Sequence, residues 1–306
     1  LALPRPETRS RIEGWLPVNS RVMVAAQFKA GKTTLMGNLL RSLVDGDDWL
    51  EAADVEPITG HAVLIDTEMA QTQLDDWHRD QGIQADDRIV PVSLRGSLTA
   101  FNLLDRSVRT EWAARLRTLG TQYLILDCLR PILDALGLDE QHEAGRFLVA
   151  FDALLVEAAI PEAAVIHHMG HAGERSRGDS RLRDWPDVEW LLVRKNPDAA
   201  SPRFISAYGR DVEIPESELA YDPKQRRLKL TGGGTRSDVN IQEALAAVLE
   251  VLKDSKPRSF RQLQNEAQRR CGFTRECVRN AIAFGVASKK IVTEPGPRRA
   301  TLHRLP

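Results

Sequence analysis

The stretch "RVMVAAQFKAGKTTLM", residues 21–36, constrains this chain more than any other. "RVMVAA" is short and, after its first residue, apolar on both faces, which predicts a strand buried on both sides of a sheet. A helical pattern begins at Thr33, so a tight loop must join the two. That loop, Ala26-Gln27-Phe28-Lys29-Ala30-Gly31-Lys32-Thr33, fits G-x-x-x-x-G-K-[ST] except at its first position, where alanine replaces glycine. Strand, loop and helix in this order aim bare backbone N–H groups and a helix N-terminus at an anion. Lys29, Ala30, Gly31, Lys32, Thr33 and Thr34 are therefore expected to hold the phosphates of a nucleotide. The Thr33 hydroxyl is expected on Mg²⁺. Ala26 fits the strand end provided its φ stays negative.

Four further apolar runs repeat the theme: "HAVLID" (61–66), "RIVPVSL" (88–94), "YLILD" (123–127) and "AAVIHH" (163–168). Helical patterns at 33–44, 70–81, 105–119 and 141–159 separate them. Buried strands alternating with helices predict an α/β fold, a mostly parallel sheet wrapped by helices. Ligands of such sheets collect at the carboxyl ends of the strands. After residue 185, "DVEWLLVRK", "RFISAYGR" and "RRLKLTG" read as antiparallel additions to one edge. "TGGGTRSD" then marks a boundary. The organisation expected is an ATPase domain over 1–230, with 1–13 as an N-terminal extension, a Gly-rich linker over 231–238, and a small domain over 239–306. At 306 residues the chain exceeds what one hydrophobic core usually fills.

Composition excludes several classes. No apolar run approaches the roughly 20 residues of a membrane span, and the N-terminus lacks the apolar stretch of a secretion signal. A cytoplasmic protein is expected. Three cysteines, Cys128, Cys271 and Cys277, are too few for a disulfide framework and form no pair of zinc knuckles, so they read as reduced thiols.

ATP hydrolysis needs an acid for the Mg²⁺ shell, a group to orient water, and positive charge for the transition state. Asp127 closes the run "YLILD" and is expected beside Thr33 in holding Mg²⁺. "HAVLIDTEM" offers Asp66, which can cap a loop, and Glu68, which can reach a water. "AAVIHHMGHAGERSRGDSRLRDWPD" ends a strand in two histidines, followed by a loop rich in Gly and Arg, a place for a sensor of the outer phosphate.

This ordered set resembles the RecA-like ATPases, specifically the branch of plasmid RepA-type and DnaB-like hexameric helicases, over about residues 14–230. The similarity rests on "KAGKTT", Glu68 of "LIDTEM", Asp127 of "LILD", and "HHMGH" followed by "SRGDSRLRD". The resemblance implies a ring, a hexamer, in which ATP sits between subunits. It further implies that Arg177 is an arginine finger acting on the neighbouring site and that His168 or His167 senses the nucleotide. Loops at the ring's centre, including Arg175 and Arg181, would touch single-stranded DNA. Two departures from the branch, His171 in place of Lys and Asp179 in place of Ser, would weaken contacts with a DNA backbone.

The tail carries its own signals. Residues 237–306 hold 13 Lys and Arg against 7 Asp and Glu, whereas residues 1–236 hold 29 against 36. A basic module on an acidic body suggests a polyanion partner. "VNIQEALAAVLEVLKD", "SFRQLQNEAQRR" and "TRECVRNAIAFGVASKKI" read as three helices, the last two capped by Ser259 and Thr274, and "VTEPGPRRATLHRL" as a hairpin. This order resembles a winged helix in outline, with Arg275 and Arg279 facing duplex DNA and Arg298 and Arg299 on the wing; protein contacts are the competing role. The leading reading is an ATP-driven DNA helicase or translocase serving replication of a plasmid, phage or integrated element. The alternatives are a DNA-bound KaiC-like or recombination-mediator switch that unwinds nothing, and a small-molecule kinase, against which the Arg-rich loop and the basic tail argue.

Overall fold

Alternation within the buried runs sorts the core onto two faces of one sheet. The computed structural model describes residues 9–169, 181–196, 198 and 201–306, in two compact units, Leu1–Thr231 and Gly232–Pro306. In the first, a hairpin of β1 (Ser10–Ile12) and β2 (Leu16–Pro17) precedes β3 (Arg21–Ala26), α1 (Lys32–Asp45), β4 (His61–Asp66), α2 (Gln71–Asp80) and β5 (Ile89–Ser93). Then come α3 (Arg106–Thr118), β6 (Thr121–Asp127), α4 (Leu129–Ala135), α5 (Ala144–Ala158), β7 (Glu162–His168), α6 (Arg181–Asp184), β8 (Val188–Arg194), β9 (Arg203–Gly209), β10 (Glu213–Asp222) and β11 (Arg227–Leu230). The described residues form a nine-stranded sheet in the order β11-β10-β9-β8-β3-β7-β6-β4-β5. From β8 to β5 the strands run parallel, and β9, β10 and β11 extend the edge antiparallel.

On one face, Val22, Val24, Ala62, Leu64, Ile125, Ala164 and Ile166 meet Leu35, Met36, Leu39 and Leu43 of α1. On the other, Met23, Val63, Ile65, Leu124, Leu126, Ala163 and Val165 meet Leu116 of α3 and Phe147, Phe151 and Leu154 of α5. Each of these side chains larger than alanine stabilises the fold by roughly 1.5–3 kcal/mol when fully buried. The N-terminal hairpin belongs to this core. Ile12 and Leu16 are fully buried, Trp15 packs edge-on against Trp49 and Trp190 at centroid distances of 6.4 and 6.2 Å, and Arg11 makes a two-pronged ion pair with fully buried Glu162 at 2.9 and 3.0 Å.

Four strands, β8 to β11, follow residue 185, one more than the three expected, and the first of them pairs parallel with β3, so "DVEWLLVRK" is not the antiparallel addition expected of it. The extra strand, β10, carries Pro215, which cannot donate to a ladder. Its pairing with β9 shifts register between Ile214 and Ser217, and this irregularity is where the proline sits.

The second unit comprises α7 (Arg236–Leu252), β12 (Arg258–Ser259), α8 (Phe260–Cys271), α9 (Arg275–Ala287), β13 (Val292–Pro295) and β14 (Thr301–Arg304). The helix α7 starts inside the stretch expected as linker, because Thr235 and Asp238 cap it reciprocally. Ser259 and Gln262 do the same for α8, and Thr274 accepts from the Cys277 N–H at the start of α9. Leu245, Val248, Leu252, Leu263, Ala267, Val278, Ile282 and Ile291 form a separate core. Gly285 lets two side chains close in, since a Cβ would lie 2.6 Å from Ile291 Cδ1 and 2.8 Å from Leu245 Cδ1 and would make both shift. The small sheet has the order β12-β14-β13. Among the described residues, no helix is long and apolar enough to cross a membrane.

Candidate active site

The loop between β3 and α1 departs from the common pattern at Ala26, and the backbone explains why alanine serves. Ala26 is a fully buried strand residue, paired with His168 of β7 on one side and Leu192 of β8 on the other. The turn is taken later, at Lys29 with φ 58° and at Gly31 with φ 107°, the N-cap of α1. Only the second of these values is glycine's own territory. Neighbouring strands brace the loop. The Gln27 N–H donates to the Leu192 carbonyl at 3.1 Å and its Oε1 accepts from the Arg194 N–H at 2.9 Å. The Arg203 Nε–H donates to the Ala30 carbonyl at 3.0 Å, and the Arg194 guanidinium reaches the Lys29 carbonyl at 3.5 Å. Gln27, Arg194 and Arg203 escaped the sequence reading; an arginine at each of two adjacent strand ends was the available signal. Lys29 itself is exposed, with its ammonium 5.2 Å from the centroid of the Phe28 ring.

Pairing of Ala26 with His168 puts that histidine beside the loop, and α1 covers the same face. Lys32, only 8% exposed, places its Nζ 2.8 Å from His168 Nε2. His168 Nε2 in turn lies 3.5 Å from Glu68 Oε1. The hydrogen bond from His168, and then the charge of Lys32, hold the Glu68 carboxyl down at about 2 despite partial burial, so it is ionised at neutral pH. Glu68 stands where it does because Asp66 caps the turn after β4, accepting from the N–H groups of Glu68 and Met69 at 2.8 and 2.6 Å. Thr67 ties this turn to the end of β6. Its N–H donates to the Asp127 carbonyl at 2.7 Å and its hydroxyl oxygen accepts from the Cys128 N–H at 3.0 Å. The Cys128 thiol points at Glu68 Oε1, 3.6 Å away.

Asp127 is 3% exposed, and burial pushes its carboxyl up to about 7, against the opposing pull of Lys32. A buried carboxylate that its nearest ammonium does not fully offset is a position that a hard cation stabilises. Thr33 stands in the first turn of α1, directly after Lys32.

The structure does not bring His167 to the loop. Successive residues of a strand face opposite sides. His168 shares the α1 face with Ala164 and Ile166, and His167 shares the α5 face with Ala163 and Val165, where it is buried with its Nε2 3.6 Å from Glu140 Oε1. His167, expected as an alternative nucleotide sensor, thus lies on the face of the sheet opposite His168 and next to Glu140. Arg181 opens α6 and is exposed. Arg175 and Arg177, with His171 and Asp179, lie outside the described residues, as does the side chain of Arg298. In the second unit Arg275 and Arg279 project from α9 into solvent, Arg275 reaching Asn265 Oδ1 at 3.3 Å and Arg279 reaching Glu276 Oε1 at 3.1 Å, and Arg299 is exposed.

Comparison with known proteins bears on this arrangement. No curated protein matches the sequence. Among solved structures, a KaiC-like protein, PH0186, from the hyperthermophilic archaeon Pyrococcus horikoshii OT3 superposes with a TM-score of 0.53 at 14% identity, covering 72% of this chain and 93% of that one. At that identity the likeness concerns the fold alone, a RecA-like core with its large, mostly parallel sheet flanked by helices. The profile of a family described as "AAA domain" matches residues 1–174, more than half of the sequence and inclusive of the phosphate loop, Glu68, Asp127 and both histidines of β7. The chain has a RecA-like fold and belongs to the AAA domain family.

Proposed function

We propose that this chain is an ATP-driven DNA helicase or translocase that works as a ring, of the RepA-type and DnaB-like branch of RecA-like ATPases. The observation that carries the reading is the convergence of Lys32, Glu68, Asp127 and His168 on the carboxyl ends of four adjacent strands and the loop between β3 and α1. Lys29 to Thr34 bind the phosphates. Lys32 leaves His168 for the outer phosphate, where its charge offsets that developing on the transferred group. The ionised Glu68 orients the attacking water and accepts its hydrogen bond. His168, in contact with both Lys32 and Glu68, registers whether the outer phosphate is present. Thr33 and Asp127 hold Mg²⁺, which supplies charge neutralisation to the phosphates when bound. Arg177 from a neighbouring subunit completes the positive surround, and Arg175 and Arg181 meet single-stranded DNA. The second unit, read as a winged helix, offers Arg275, Arg279, Arg298 and Arg299 to duplex DNA.

A second reading has a specific observation in its favour: the matched KaiC-like protein is covered almost end to end by this fold. In that reading the chain is an ATPase switch on DNA, in the replication or recombination of a mobile element, and separates no strands. Measurement of ATP turnover with and without single-stranded DNA, followed by strand displacement on a forked duplex, distinguishes the two. Stimulation with displacement supports the helicase, stimulation alone supports the switch, and neither contradicts both.

A further inference from the structure

The ends of β4, β6 and β7 gather three different metal-ligating atoms. A carboxylate oxygen of Glu68, the sulfur of Cys128 and an imidazole nitrogen of His168 all lie within 4.8 Å of one another. Glu68 Oε1 is 3.5 Å from His168 Nε2 and 3.6 Å from Cys128 Sγ. A tetrahedral zinc ion bound at about 2.0–2.3 Å spaces its ligands roughly 3.3–3.6 Å apart. Two edges of the triad already have that length. The donors are also the wrong set for Mg²⁺, which takes oxygen, and the right one for a borderline-soft ion. Their separation is held by the backbone, because Thr67 locks the turn carrying Glu68 to the peptide that carries Cys128. Three protein ligands leave one position open, and Lys32 Nζ presses on the same side, 2.8 Å from His168 Nε2.

We propose that Glu68, Cys128 and His168 form a site for a thiophilic divalent cation of the zinc type, and that this cation and Lys32 exclude one another. Binding makes one metal–sulfur, one metal–nitrogen and one metal–oxygen bond. It breaks the Cys128 S–H bond, whose proton passes to solvent, and no electrons change hands. Lys32 Nζ, 2.8 Å from His168 Nε2, occupies the approach to that nitrogen, so Lys32 must withdraw when a metal binds there. The site stands on side-chain positions and does not depend on the ATPase reading; an ion lodged there also fills the place where Glu68 and His168 would act.

Cobalt(II), added to the full-length, nucleotide-free protein with Cys271→Ser and Cys277→Ser, tests this. Cys128 is then the only thiol of the chain, so any thiolate-to-cobalt charge-transfer band in the near ultraviolet reports that residue. The expected result is a band that saturates at a single cobalt per chain, is displaced by zinc and is untouched by magnesium. In the same background Cys128→Ser abolishes the band, His168→Ala weakens cobalt binding by at least about tenfold, and Lys32→Met tightens it by about tenfold through loss of the neighbouring charge. Absence of the band in the doubly substituted protein overturns the proposal, even if Cys128→Ser fails to fold. A band indifferent to His168→Ala overturns the ligand set, and one indifferent to Lys32→Met overturns the exclusion.

Discussion

Asp127 is the residue at which stability and chemistry pull apart. Its carboxyl titrates at about 7 in the fold, raised from 3.8 by burial, so the folded protein keeps a proton that the unfolded chain has released. Stability therefore falls as the pH rises from about 4 to about 7, and the full cost persists above that. Asp127→Asn is expected to raise the melting temperature of the nucleotide-free protein at pH 8 and to confer no gain near pH 4. Thermal melts at the two pH values check this, and equal melting at pH 8 contradicts the account of a strained carboxylate. Asp66 is also buried and pushed up, but two backbone N–H groups compensate it, which is why the same residue type at the ends of neighbouring strands does different work. How far such roles were legible in the sequence depended on phase. Asp127 and Glu68 each follow an apolar run, and position alone put them at or just past strand ends, whereas Lys32 was marked by the loop pattern. His168 and His167 could not be separated that way, because which one meets Lys32 depends on the face that α1 covers. Arg194 and Arg203 were missed because an arginine at a strand end does not reveal that its partners are backbone carbonyls of the loop.

At the scale of elements, the five parallel strands expected were legible because a strand buried on both faces is a short apolar run bounded by polar turns. β10 was not, since "EIPESELAYD" shows neither a continuous apolar run nor a regular alternation and contains a proline. α4, seven residues directly after Cys128, was too short to show a period. In the second unit, caps at Ser259 and Thr274 announced α8 and α9, but the packing that holds them is a matter of closeness that pattern does not reveal. Gly285 is the clearest instance. Gly285→Leu is expected to force Ile291 and Leu245 apart and to lower the stability of that unit by about 1–3 kcal/mol. Denaturant unfolding followed in a fragment spanning 232–306 provides the measurement, and an unchanged midpoint contradicts the close approach. The fragment has its own buried core and is expected to fold by itself, with a helical circular dichroism spectrum.

For the whole molecule, the charge asymmetry between body and tail finds its use if the tail meets a polyanion. Reversing Arg275 and Arg279 to Glu is expected to weaken duplex binding about tenfold or more at low salt and to flatten its salt dependence. Fluorescence anisotropy over a salt series checks it; unchanged affinity returns the tail to protein contacts. A ring would place Arg177 of each subunit at its neighbour's nucleotide, so Arg177→Ala is expected to bind ATP and fail to turn it over. All of this rests on triphosphate cleavage at the ends of β3, β4, β6 and β7. The most direct test is phosphate release by Glu68→Gln beside the parent protein, with MgATP binding measured on both. The account predicts that the parent hydrolyses ATP and that the variant binds it with similar affinity while turnover falls by about 10²-fold or more. Turnover undiminished in Glu68→Gln, or a parent protein that neither binds nor cleaves ATP, contradicts it.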